Sequence, residues 1–93
     1  MDQLEIDARR GEQAEQLLAH PLIVEARERL EAEIFRQFKE SHLRDKEGRE
    51  YLRLMQHVAT LFFGYLESAV SDGKVAKLEI KQKGIGAMMR RVI

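Results

Sequence analysis

Cysteine is absent from this 93-residue chain. Disulfides, thiolate metal sites and a cysteine nucleophile are therefore excluded, and a reducing compartment is the natural setting. Proline occurs once, at Pro21, so little in the sequence forbids long helices. The longest apolar stretch, Leu61-Phe62-Phe63-Gly64-Tyr65-Leu66, falls far short of the roughly 20 residues of a membrane span. The first thirty residues carry acids throughout and lack the apolar core of a signal peptide, which points to a cytoplasmic protein. Alternation of period two never persists, so no strand competes with helix, and no internal repeat is visible.

Charge, by contrast, is abundant and sorted along the chain. Residues 1–33 hold nine acids and four bases, residues 34–73 six of each, and residues 74–93 six bases against Glu79 alone. A formal net charge of zero thus conceals an acidic head and a basic tail, two complementary surfaces for partners or further copies. Hydrophobic residues at 44% and charged residues at 34% favour a folded helical chain over a disordered one. At this length a single lean domain buries only about 60–65% of its unfolded surface, so a partner or second copy often completes the core.

The punctuation predicts an all-α protein of three main helices, about 2–19, 21–40 and 46–71, plus a short basic C-terminal helix, in a small bundle or helical hairpin. Asp2 caps the first helix, and His20-Pro21 ends it while starting the second. Ser41 to Gly48 reads as a polar connector with Asp45 the cap of the third helix. Asp72-Gly73 follows, with Gly73 suited to the left-handed conformation that closes a helix. A basic helix from about Lys74 to Gln82 comes next, and Gly84-Ile85-Gly86 loosens residues 84–93 into a docking tail.

The apolar faces of these helices differ in kind. The first has a stripe of small residues, Leu4, Ala8, Gly11, Ala14 and Leu18, which permits close backbone approach but buries little; Gly11 costs about 1 kcal/mol against alanine. It is the weakest helix, expected either to fray or to order only when docked. In the second, Ile23, Leu30, Ile34 and Phe38 form a stripe interrupted by Arg27. Arg27 either lays its stem along apolar surface with its head in water, or pairs with an acid on another helix or subunit. The third is apolar on two sides: Tyr51, Met55, Val58, Phe62 and Ala69 on one, Leu52, Ala59, Phe63, Leu66 and Val70 on the other. A surface that broad calls for neighbours on both sides or a shared face between chains, with Met55, Val58, Phe62, Phe63 and Leu66 the candidate interface residues.

Catalytic chemistry finds no foothold in these residues. His20, His42 and His57 stand 22 and 15 residues apart and match no local metal-ligand spacing, so no metal or cofactor is expected. Glu25, Glu28, Glu31 and Glu33 interleave with Arg27 and Arg29 as a solvated helix face does. Ser41 precedes His42 directly, too close along the chain for a nucleophile and its base. The glycines lack any phosphate-binding spacing.

The basic end admits more than one reading. Lys74, Lys77 and Lys81 share a helical face, and Lys83, Arg90 and Arg91 extend the charge. Such cations suit phosphates, yet the tail has no aromatic residue for base stacking and no helix-turn-helix precedes it. Residues 84–93 carry Ile85, Met88, Met89, Val92 and Ile93, an apolar set that fits a protein groove better than a membrane surface. A solvated tail is the plainer alternative.

The segment from Arg10 to Leu22 with Glu25-Ala26, and Gly64-Tyr65-Leu66-Glu67-Ser68 leading to Asp72-Gly73-Lys74-Val75-Ala76-Lys77, resembles short, uncharacterised helical proteins of tailed bacteriophages and prophages. The likeness spans roughly residues 8–80. It implies a non-enzymatic protein of virion structure or assembly, located in a bacterial host's cytoplasm or in the virion, with other phage proteins as partners. No functional residue carries over with it. The expectation is a homo-oligomer in which the acidic head of one copy meets the basic tail of the next, an arrangement that builds rings or filaments. The rivals are a small nucleic-acid-contacting regulator or packaging factor using the tail, and a host-directed inhibitor.

Overall fold

The computed structural model describes the backbone of residues 2–92 and the side chains of residues 2–86. Among them stand three helices and no strand: α1 (Gln3–Ala19), α2 (Pro21–Glu40) and α3 (Lys46–Val92). The chain is all-α, as its patterning predicts, and the starting points are set by local capping. Asp2 Oδ1 accepts from the Glu5 N–H at 2.9 Å. His20 serves two helices at once. Its N–H donates to the Leu17 carbonyl at 3.1 Å, closing α1, and its Nδ1 accepts from the Leu22 N–H at 3.1 Å, opening α2 behind Pro21. Asp45 Oδ1 accepts from the Gly48 N–H at 2.9 Å at the head of α3.

One expectation is corrected. The third helix does not stop at Ser71, and the separate basic helix and glycine-loosened segment are absent: α3 runs unbroken for 47 residues through Gly73, Gly84 and Gly86. Among the described residues no glycine adopts a positive φ, so Gly73 makes no left-handed cap. Its missing side chain has another use. A Cβ built on Gly73 would stand 2.7 Å from the Gly11 Cα, and one built on Gly11 would stand 2.7 Å from the Gly73 Cα. The two helices touch backbone to backbone there, between buried Ala14 and buried Ala76. α1, far from fraying, is docked along α3 more extensively than α2 is.

The sense of this contact follows from side-chain tilt. Cα–Cβ bonds lean toward a helix's N-terminus. The Gly11 position leans on the Ala69 carbonyl (2.9 Å), and the Gly73 position on the Asp7 carbonyl (3.1 Å), each in the partner's preceding turn. α1 and α3 therefore run in the same direction. α2 returns antiparallel: Arg49 lies over the Phe38 ring (5.2 Å) near the bend, while Arg27 reaches Phe63 and Glu67 farther along. At about 1.5 Å per residue, α3 accounts for the 73 Å length of the molecule. A radius of gyration of 20.5 Å, against about 12 Å for a compact chain of this size, makes it a rod with two short helices laid along it.

Candidate interaction surface on the third helix

So thin a rod leaves most of its large apolar residues exposed. Among the described residues the buried apolar side chains are Ala14, Ile34, Leu52, Phe63 and Ala76, two of them alanines. Neighbouring aromatics on α3 show the division. Phe63 is 8% exposed and Phe62 61%, because a helix turns consecutive residues about 100° apart and only one side has a neighbour. Phe63 faces α2, where the Arg27 guanidinium stacks 4.6 Å over its ring and ion-pairs with Glu67 at 2.9 Å and Glu31 at 3.4 Å. Both sequence readings of Arg27 meet here, since its stem crosses apolar surface and its head pairs with an acid on another helix of the same chain. The hydrogen bond to Glu67 raises the guanidinium above its ordinary pKa.

On the opposite side of α3 the surface is bare. Tyr51, Leu54, Val58, Leu61 and Tyr65 recur at intervals of three and four residues, and all five are exposed, with Phe62 beside them. This is the spacing of a helix-pairing seam. α1 covers the neighbouring face of α3 from about Tyr65 onward and leaves Tyr51, Leu54, Val58, Leu61 and Phe62 without a cover. At the boundary Arg10 Nη2 donates to the Tyr65 hydroxyl at 2.6 Å.

The five interface candidates from sequence are thereby separated. Val58 and Phe62 lie in the bare stripe, Met55 and Leu66 are half-buried at its edges, and Phe63 belongs to the chain's own core. Leu54, Leu61 and Tyr65 were missed, although their three-four spacing with Tyr51 and Val58 marks them. Among the basic candidates, Lys77 donates to Glu12 at 2.8 Å, and that bond holds the Glu12 carboxyl below its ordinary pKa. The acidic and basic ends therefore meet within one chain. Lys74, Lys81 and Lys83 are exposed; the side chains of Arg90 and Arg91 lie outside the described residues, as do those of Met88, Met89, Val92 and Ile93.

A concavity of about 870 Å³ opens between α2 and α3. Ile34, Phe35 and Phe38 line it together with Arg27, Arg49, Arg53 and Phe63. It exists because α2 stands off from α3 on guanidinium–aromatic contacts instead of interlocking with it. Among the described residues no cluster of three metal-ligating side chains occurs, and no helix is long and apolar enough to cross a membrane. Compared with known proteins, the chain matches no protein family, no curated protein and no solved structure.

Proposed function

We propose that this chain is a non-enzymatic, phage-type structural or assembly protein that acts as a homo-oligomer through the bare face of α3. One observation carries the proposal: large apolar side chains at helix-pairing spacing stand in water, while among the described residues the chain's own core holds two alanines and three larger side chains. Exposed apolar patches of this kind mark association surfaces. The resemblance to tailed-phage helical proteins supports the assembly role, with a bacterial host's cytoplasm or the virion as its place and other phage proteins as further partners. Pairing of Glu12 with Lys77 inside the chain turns the reading away from head-to-tail charge contacts and toward apolar self-association.

Light scattering across a concentration series, at low and high salt, tests the reading. A mass of two or more chains that persists in high salt supports it, and a monomer at the highest concentration overturns it. The rival with an observation behind it is a nucleic-acid-contacting regulator or packaging factor, because Lys74, Lys81 and Lys83 remain exposed along α3. DNA binding that weakens steeply with salt and is lost on charge reversal of these lysines would favour that rival.

A further inference from the structure

The bare stripe is nearly a palindrome. Counted from Val58, its members lie at −7 (Tyr51), −4 (Leu54), +3 (Leu61) and +7 (Tyr65). Two copies of α3 laid antiparallel across an axis at Val58 place Tyr51 on Tyr65, Leu54 beside Leu61, and Val58 on itself. Phe62, at +4, comes against Leu54, so the apolar set of one copy is covered by that of the other, the self-complementarity that a two-fold interface requires.

Charge selects the same direction. Beyond the stripe at one end stand Glu47 and Arg44, and at the other Arg10, hydrogen-bonded to Tyr65, and Asp72. Among the described residues none of these four is in an ion pair. In the antiparallel register Glu47, at −11, comes to the end where the other copy carries Arg10. Arg44, in the connector just before α3, comes toward the end where the other copy carries Asp72. A parallel register would instead set Glu47 on Glu47 and Arg10 on Arg10, which repel.

The area suffices. With roughly 100 Å² of each exposed side chain available, the stripe and Phe62 offer on the order of 600 Å² per chain, near the about 800 Å² per partner of a standard interface. Resting on the self-association proposed above, we infer that the occupant of this stripe is a second copy of the chain, paired antiparallel and two-fold symmetric about Val58, with Arg10 of each copy against Glu47 of the other.

The absence of cysteine makes the register directly readable by single-cysteine crosslinking. Val58→Cys is expected to form a disulfide-linked dimer by itself. Tyr51→Cys is expected to crosslink poorly alone and efficiently when mixed with Tyr65→Cys. Efficient self-crosslinking of Tyr51→Cys would overturn the antiparallel register, as would failure of the mixture to crosslink. Sedimentation of the unaltered chain separates the two ideas. A monomer removes both the self-association and its geometry, whereas an oligomer with the wrong crosslinks removes the geometry alone. Arg10→Glu is expected to raise the dimer dissociation constant about tenfold, because the contact occurs twice per dimer, and Arg10→Glu with Glu47→Arg to restore it. No weakening by Arg10→Glu, or no rescue by the pair, would overturn the assigned contact.

Discussion

Gly11 and Gly73 lie so close that a methyl group on either would stand 2.7 Å from the other's Cα. The neighbour in each case is backbone, which cannot swing aside. Gly73→Ala gains about 1 kcal/mol of helix propensity, but it forces α1 off a contact it makes along its length, an overpacking cost of about 1–3 kcal/mol. We expect Gly11→Ala and Gly73→Ala to lower the melting temperature. Gly64→Ala supplies the control: nothing lies within 4 Å of its added Cβ, so propensity alone acts and the melting temperature rises. Thermal unfolding followed by helical circular dichroism distinguishes the three.

Phe62 and Phe63 should respond oppositely to change. Phe63→Ala empties the ring position beneath Arg27 and is expected to cost about 3 kcal/mol of stability in denaturant titrations. Val58→Glu and Phe62→Ser alter only exposed positions. They are expected to leave helicity and dilute-solution stability unchanged while abolishing oligomers in sedimentation. An oligomer that survives Val58→Glu would move the association surface elsewhere.

Arg27 is expected to matter more than Arg29, although both form ion pairs on α2. Among the described residues Arg29 pairs only with Glu25, one turn away on the open face. Arg27 joins two helices through Glu67 and covers Phe63. Arg27→Ala should lower the melting temperature by a few degrees, Arg27→Lys by less, and Arg29→Ala hardly at all. Lysine keeps the charge but not the flat guanidinium that stacks on the ring.

Acid should loosen the molecule in a defined window. Hydrogen bonds from Arg36 and then Gln37 hold the Glu33 carboxyl at about 2, below its ordinary 4.5. Glu12 is likewise lowered by its bond to Lys77. A carboxylate depressed in the folded state stabilises it above the unfolded value, and that contribution fades as pH falls toward the folded value. Helicity is therefore expected to decline between about pH 4.5 and 2. Glu33→Gln should flatten the part of this decline that arises in α2, and Glu12→Gln the part that arises from α1 docking.

Hydrogen exchange should rank the helices. α2 holds α3 through Ile34 and guanidinium–aromatic contacts across an open groove, whereas α1 is in backbone contact with α3. Amides of residues 24–38 are expected to exchange faster than those of residues 8–18. Slower exchange in α2 would mean that its groove is filled in solution.

Helix starts and class were legible in the residues because capping is local. Asp2, His20 and Asp45 each act on an N–H two or three residues away, and nothing distant competes with them. The bare stripe was legible only in part. The wide apolar surface of α3 is plain in its periodicity, but which of two adjacent phenylalanines is covered depends on where α2 lies, and no local signal carries that. Gly73 is the sharpest case. Beside Asp72 it reads as a helix end, and only the arrival of Gly11 from 62 positions away gives its missing side chain a packing use inside a continuous helix. The same holds for Glu12 and Lys77, whose opposite signs the sequence displays and whose union inside one chain only packing could decide. Propensities and caps extend over a turn or two of helix; contacts between helices join residues far apart in the chain, and those were decided by tertiary structure alone.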